Sequence, residues 1–144
     1  MNYVYRYPRP AVTTDALVYY REGSVVRVLL IQRGREPFQG KWALPGGFIN
    51  MDERLETACK RELEEETGLK LDAMVPYRVY DAVDRDPRHR TISVVFYTEV
   101  AGEMPVTGGD DAAIARWFPL HVLPEMAFDH REIIEAFFEQ DEPS

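Results

Sequence analysis

Apolar residues along the N-terminal part of the chain form two runs that predict neighbouring strands. Residues 11–20 (AVTTDALVYY) have the β-branched and aromatic composition of a strand, and residues 25–32 (VVRVLLIQ) form a second, mostly apolar one. Residues 21–24 (REGS) between them predict a turn. The pattern then stops, because residues 33–47 are rich in Gly, Pro and Arg and predict a loop.

The remainder of the chain alternates between predicted helices and strands, with no internal repeat and no linker. This mixture predicts an α/β domain with helices packed on a sheet. A helix follows Gly47, and the later predicted elements are strands near 73–80 and 91–100, an exposed loop over 103–111, a short strand over 115–118 and a final helix over about 129–138.

The helix after Gly47 has clear predicted boundaries. Asn50 or Asp52 is expected to cap its N-terminus, with Glu53 at capping-box spacing from Asn50. Gly68 is placed to end the helix in a left-handed conformation.

Acidic residues of this helix fall on its apolar side. At about 100° per residue, Glu62 and Glu66 lie within the stripe formed by Leu55, Ala58, Cys59 and Leu63, and Glu65 borders it. Glu64 points to the opposite, solvent-facing side with Thr57 and Lys60. Crowded carboxylates resist ionisation unless a cation lies among them, so the pattern predicts a carboxylate site for Mg²⁺. The alternative is a set of ordinary ion pairs, such as Glu65 with Arg61.

Length, charge and cysteine content narrow the class of protein. The 144 residues fit a single domain, 1–144, with an extended N-terminal arm (1–10) and a polar tail (139–144) expected to fray. The net charge of −8 disfavours nucleic acid and membrane partners. The single cysteine, Cys59, and the lack of a signal-like or spanning apolar run predict a cytoplasmic location.

Residues 47–69, GFINMDERLETACKRELEEETGL, resemble the Nudix box in every specified position. The flanking stretches 37–48, 84–97 and 126–130 look like the ADP-ribose pyrophosphatase branch of that family. The matching positions of the box are Gly47, Glu53, Arg61, Glu62, Leu63, Glu65, Glu66, Gly68 and Leu69.

The resemblance implies a fold and a set of site residues. The fold would be an α/β/α sandwich with a mixed β-sheet, and the helix would line the active-site cleft. Glu62, Glu65 and Glu66 would bind Mg²⁺, or Mn²⁺, together with the carbonyl oxygen of Gly46. Glu53 and Arg61 complete the candidate catalytic set and are expected to pair with each other, whereas Glu64 should be dispensable. The general base is either one of the box glutamates or a later carboxylate, with Glu103, Asp110 and Asp111 as candidates.

Five arginines concentrate in two loops of this acidic chain and are candidates for binding phosphate. Arginine pairs with phosphate in a bidentate geometry, and two of the five are expected to do so. The resemblance favours Arg88, and Arg33 and Arg35 are the other candidate substrate-binding residues. The five are Arg33, Arg35, Arg85, Arg88 and Arg90.

Several other residues receive structural interpretations. Tyr3, Tyr5 and Tyr7 alternate along the arm, where they would stack on an adenine, contact a partner subunit of a homodimer, or pack on their own domain. Trp42 and Phe48 are expected to pack the loop between them, Cys59 and Trp117 to lie in the core, and His130 to start the last helix rather than take part in catalysis.

Together these features predict a Mg²⁺-dependent hydrolase that cleaves the pyrophosphate bond of a small nucleotide-type substrate. The substrate expected first is ADP-ribose. One alternative is a house-cleaning nucleoside triphosphate pyrophosphatase, since the box builds the metal site and loops determine selectivity. Another is a non-catalytic sensor of ADP-ribose, of the kind fused to a DNA-binding domain. The intact box glutamates, the acidic charge and the chain end at Ser144 disfavour the sensor.

Overall fold

The computed structural model describes residues 2–109 and 112–142, and its centre is one mixed sheet. Strand β1 (Ala11–Glu22) runs through the middle, parallel to β6 (Thr91–Glu99) and antiparallel to β2 (Val25–Arg33). The sheet order is β3-β2-β1-β6-β5, with β4 pairing to β1 and β7 to β2. The other strands are β3 (Trp42–Ala43), β4 (Gly46–Phe48), β5 (Val75–Tyr80) and β7 (Ala112–Pro119).

Alternate side chains of β1 enter two separate cores. Ala16 and Val18 pack with Leu63 of helix α1 (Leu55–Thr67). Leu17 and Tyr19 lie on the other face of the sheet and pack in the core that includes helix α2 (His130–Ala136). Successive residues of a strand point to opposite faces, so helices cover both faces of the sheet. This is the α/β/α sandwich that the resemblance implies, and burial on both faces explains why β1 is so apolar.

The edge of β1 opposite β6 is divided between two partners. Near its end, Tyr19 to Glu22 pair with β2, while Thr13 to Asp15 pair with β4. Beyond Val28, strand β2 no longer pairs with β1; it pairs with β3 at Ile31 and Gln32, and with β7 from Arg27 to Arg33. A cleft opens where β2 and β4 part, and α1 lies beside it through its contacts with β4 and β1.

The structure corrects some of the predicted boundaries. The loop predicted over 33–47 contains β3 and the start of β4, which are too short to give a periodic signal. The helix begins at Leu55 with Arg54 at its N-cap and no side-chain cap, so neither Asn50 nor Asp52 caps it. Gly68 does end it, at φ 76°.

The last helix begins at His130, as expected, and continues as a wider helical turn over Phe137–Asp141. The part of the tail up to Asp141 is therefore helical rather than frayed. Asp141 accepts hydrogen bonds from Tyr77 and Arg78 of β5, which hold this turn against the sheet. Among the residues described, no helix is both long and apolar enough to cross a bilayer.

Candidate active site

The cleft beside β1 has a volume of about 290 Å³ and an acidic wall formed by α1 and β1. Glu62 and Glu66 reach it from the helix, and Asp15 reaches it from the middle of β1. Glu66 is 7% exposed and Asp15 is 5% exposed. The predicted phase of the helix is confirmed, because Glu66 is buried with Ala58, Cys59 and Leu63 while Glu64 is exposed.

Glu66 is the most perturbed carboxyl of this wall. Burial, together with the nearby carboxylates of Glu62 and Asp15, raises its pKa to about 8, although a hydrogen bond from the Gly46 amide acts in the opposite direction. That amide donates to Glu66 Oε1 at 2.7 Å. A carboxyl with so high a pKa gains from a nearby cation, which favours its charged form.

Gly46 and Gly47 allow the backbone of β4 to approach these carboxyls. A Cβ on Gly46 would lie 2.2 Å from the Thr14 carbonyl oxygen and 2.4 Å from Asp15 Oδ1. A Cβ on Gly47 would lie 2.7 Å from both Cδ and Oε2 of Glu62. No side chain fits at either position without displacing a neighbour, so the close approach requires glycine.

Arg61 joins the helix to the preceding loop. Its Nε and Nη2 donate to the two oxygens of Glu53, each at 2.7 Å, and Nη2 also donates to the carbonyl oxygen of Phe48 at 3.2 Å. The hydrogen bonds from Arg61 lower the pKa of Glu53. The expected Glu53–Arg61 pair is therefore present, with Glu53 also accepting from the Asn50 amide.

Arg61 also contacts two of the candidate metal ligands. Its Nη1 donates to Glu62 Oε1 at 2.8 Å and to Glu65 Oε2 at 3.2 Å. The Glu65 side chain is 42% exposed and follows the ion-pair alternative considered for it. Among residues 2–109 and 112–142, no three Asp, Glu, His or Cys side chains are grouped closely enough to hold a metal ion.

The donors of the acidic wall nevertheless suit a hard divalent cation. Glu62 and Glu66 bring carboxylate oxygens to one wall of the cleft, and oxygen is the ligand that Mg²⁺ and Mn²⁺ prefer. Glu65 would join them after leaving Arg61. Burial is the largest cause of the raised pKa of Glu66, and a cation bound beside this carboxyl would favour its charged form.

Four of the five candidate arginines line the same cleft. Arg33, Arg35, Arg85 and Arg88 take part, and Arg90 lies outside the lining. The side chain of Arg85 is buried and forms two hydrogen bonds with Asp129, at 2.6 and 2.9 Å, so it ties its loop to the start of α2. Arg88 forms the equivalent pair with buried Asp86 at 2.8 and 3.1 Å.

Two phenylalanines of the cleft lining lie beside Arg88. The guanidinium of Arg88 lies 5.3 Å from the Phe48 ring centre and 5.9 Å from that of Phe128. Phe48 is 40% exposed and lines the cleft, so the expectation that it packs the loop is wrong. Trp42 does pack there, edge-to-face on Phe118 at 4.7 Å.

Three later carboxylates were expected to be candidates for the general base. Glu103 accepts a hydrogen bond from the Tyr20 hydroxyl at 3.0 Å and is not part of the cleft lining. Asp110 and Asp111, the other candidate bases, lie outside the described residues.

The aromatic arm lies on the surface. Tyr3 stacks on Tyr5, whose hydroxyl contacts the sulfur of Met51 at 4.0 Å, and the Tyr3 and Tyr7 side chains are more than half exposed. The arm thus touches its own domain at Met51. Cys59 and Trp117 are buried, as expected.

Two polar residues of the cleft lining, Asp15 and His130, were not predicted from the sequence as site residues. Asp15 accepts a short hydrogen bond from the Ser93 hydroxyl. His130 is buried, and its Nε2 lies 3.8 Å from Asp15 Oδ1. The available signal was the carboxylate inside the otherwise apolar run AVTTDALVYY, since a buried charge needs a partner.

Comparison with known proteins gives matches over most of the chain. The model of the NUDIX domain matches residues 9–137. An ADP-ribose pyrophosphatase of Methanocaldococcus jannaschii is 43% identical over 131 residues, which is 91% of this chain and 75% of that protein.

Two solved structures share the fold. The NUDIX domain of Shewanella oneidensis NrtR, in complex with ADP ribose, is 29% identical with a TM-score of 0.85 and covers 93% of this chain and 90% of its own. A bifunctional NMN adenylyltransferase/ADP ribose pyrophosphatase of Francisella tularensis, with AMP and a Mn ion, is 32% identical with a TM-score of 0.84. The match covers 95% of this chain and 43% of that longer one.

Proposed function

Because this chain belongs to the Nudix family of pyrophosphohydrolases, we propose that it hydrolyses ADP-ribose to AMP and ribose 5-phosphate in a Mg²⁺-dependent reaction. The observation that carries the proposal is that Glu62 and Glu66 line the same cleft as Arg33, Arg35, Arg85 and Arg88. The negative charge of a diphosphate must be neutralised, and this cleft offers both a carboxylate-held cation and guanidinium groups for that purpose. The relatives that act on or bind ADP-ribose support the choice of substrate.

The carboxylates and the arginines of the cleft have distinct parts in the proposed reaction. A divalent cation bound by Glu62, Glu65, Glu66 and the Gly46 carbonyl would supply Lewis-acid neutralisation of the diphosphate. Arg33, Arg35 and Arg88 would grip phosphate oxygens and hold the substrate in line for attack by water. Water adds to one phosphorus as the bridging P–O bond breaks, which gives two phosphomonoesters.

The orientation of the water is assigned to a carboxylate of the cleft. Glu62 and Glu66 line the cleft, whereas Glu103 is engaged with Tyr20 outside it. We therefore favour a box glutamate over Glu103 as the general base, with Asp110 and Asp111 still candidates.

Product analysis with a matched pair of variants tests this function. The protein is incubated with Mg²⁺ and ADP-ribose, NADH, nucleotide sugars, diadenosine polyphosphates or nucleoside triphosphates, and products are separated by chromatography. We expect AMP and ribose 5-phosphate from ADP-ribose, with turnover about 100-fold or more lower in Glu66→Gln. Glu64→Gln, an identical change on the exposed side of the same helix, should retain wild-type activity.

Other outcomes identify the alternatives. Pyrophosphate release from a triphosphate, with ADP-ribose untouched, would indicate the house-cleaning activity instead. The sensor hypothesis has its own support in the NrtR domain that binds ADP ribose. Tight ADP-ribose binding by wild type and Glu66→Gln alike, with no turnover of any compound, would favour it.

A further inference from the structure

The histidine at the start of α2 lies beneath the cleft, and the reaction proposed above makes no use of it. His130 is 4% exposed and lines the cleft. Its Nδ1 accepts a hydrogen bond from the buried Leu44 backbone amide at 3.0 Å. A ring nitrogen that accepts carries no proton, so the neutral ring holds its proton on Nε2. Burial lowers the pKa of His130, in agreement with a neutral ring.

The other side of the ring faces the floor of the cleft. Nε2 lies 3.8 Å from Asp15 Oδ1, which is a close electrostatic contact but longer than a hydrogen bond. Asp15 is held from its other oxygen by the Ser93 hydroxyl. The hydrogen bond from the Leu44 amide therefore orients the ring, with Nε2 on the side of Asp15.

The segment that His130 holds leads directly to Glu66. After the Leu44 amide, the Pro45 carbonyl accepts from the Ala16 amide of β1 at 2.8 Å. The next amide, that of Gly46, donates to Glu66 Oε1 at 2.7 Å. Three consecutive residues are therefore fixed by α2, β1 and α1 in turn. A shift at Leu44 displaces the amide that orients the Glu66 carboxyl.

We propose that His130 is a positioning residue for the reaction, and that its Nδ1 acceptor fixes Leu44 to Gly46 and through them the Glu66 carboxyl. The inference rests on the role proposed for Glu66. A histidine that only filled space would be replaceable by any apolar residue of similar size. A positioning histidine requires an acceptor at the place of Nδ1.

Three substitutions separate these two roles. His130→Asn keeps an acceptor oxygen near the place of Nδ1, His130→Leu keeps the bulk without an acceptor, and His130→Gln places its polar end near Nε2. Ile134→Val is the control, because Ile134 is fully buried in the same helix and the change affects packing alone. The measurements are kcat and KM for ADP-ribose, Mn²⁺ affinity by electron paramagnetic resonance without substrate, and the Leu44 amide shift by NMR.

We expect His130→Asn to retain kcat within about threefold and His130→Leu to lose on the order of 10- to 100-fold, because small displacements of a reacting group have effects of that size. KM should change little, Mn²⁺ affinity should fall in His130→Leu, and the Leu44 amide should lose its downfield shift there. Ile134→Val should lower Tm while kcat stays close to that of wild type.

Equal kcat and equal Mn²⁺ affinity in His130→Leu and wild type would overturn the proposal. So would a folded His130→Asn as impaired as His130→Leu. If His130→Leu does not fold, the comparison of His130→Asn with His130→Gln decides. A wild type without turnover contradicts the proposed function alone, since Mn²⁺ affinity and the Leu44 amide shift still report on His130.

Discussion

Two neighbouring glycines of β4 lie against different kinds of atom, and this difference decides what each contributes. The hypothetical Cβ of Gly46 meets the backbone carbonyl of Thr14, which belongs to the central strand and cannot move alone. The Cβ of Gly47 meets the end of the Glu62 side chain, which can rotate away. A side chain at position 46 therefore affects folding. A side chain at position 47 affects the placement of Glu62, which is a candidate metal ligand.

Alanine substitutions should separate the two effects. Gly46→Ala should destabilise the protein by about 1–3 kcal/mol or more, as overpacking against backbone does. Gly47→Ala should leave the unfolding free energy within about 0.5 kcal/mol but lower kcat on the order of tenfold, because it displaces Glu62. Urea denaturation and steady-state kinetics on both variants check this. Equal loss of stability in the two would contradict it.

At the scale of helix α1, the main stabilising contact is the ion pair between Glu53 in the loop before the helix and Arg61 in the middle of the helix. Both oxygens of Glu53 accept from Arg61, and a two-pronged pair of this kind is stronger and more directional than a single contact. Lysine at position 61 would keep the charge but not the planar fork.

A double-mutant cycle of Glu53→Gln and Arg61→Lys should give a coupling energy of about 1 kcal/mol, since the pair is partly exposed. Each single variant should also lower kcat, because Arg61 holds Glu62 and Glu65 as well. Denaturation of the four proteins measures the coupling. Strict additivity would mean that the two residues act independently.

At this scale the sequence predicted the long elements well. The phase of α1, its end at Gly68, and the strands β1, β2 and β6 all follow from periodicity and turn chemistry. It failed for β3 and β4, whose two and three residues are specified by pairing with distant strands rather than by local pattern. Asp15 and His130 were missed for the same reason, since they are 115 positions apart and meet only after folding.

For the whole molecule, the net charge of −8 and the buried acidic wall both oppose the folded state when no cation is present. A ligand that binds only the native protein raises its stability in proportion to the logarithm of its concentration. Binding of Mg²⁺ at the carboxylates should therefore be visible in thermal unfolding.

We expect Tm to rise with Mg²⁺ concentration in the wild type and to return to its starting value after addition of EDTA. At a concentration of 100 times Kd, the stabilisation should be about 2.7 kcal/mol. Glu66→Gln should show little of this effect, and Glu64→Gln should show all of it. Differential scanning calorimetry makes the measurement. A Mg²⁺-independent Tm in wild type would contradict the proposed metal site.

Stability should also depend on pH through His130. Burial lowers its pKa below the ordinary 6.5, with Arg85 and Arg33 adding to this against Asp15 and Asp129. The unfolded chain then binds the proton more tightly, so the unfolding free energy falls as pH drops from about 6.5 toward the lower folded value. The raised pKa of Glu66 has the opposite effect on the unfolding free energy, which it increases as pH drops. This contribution is the same in the wild type and in His130→Asn.

The wild type should therefore lose stability relative to His130→Asn as the pH falls from about 7.5 to about 5.5. Urea titrations of the metal-free proteins at several pH values give this difference. A difference independent of pH would show that His130 binds protons equally in the folded and unfolded states.

The divided edge of β1 has a consequence for how new specificities arise in such a molecule. Asp15 lies in the central strand, and hydrogen bonds tie the Leu44–Gly46 segment to that strand and to Glu66. In contrast, Arg35, Arg85, Arg88 and Phe128 of the cleft lining lie on connecting segments. Reprogramming which nucleotide is accepted should thus require exchange of those segments alone. A library confined to residues 33–41 and 81–90 would sample recognition while the hydrolytic apparatus is inherited unchanged.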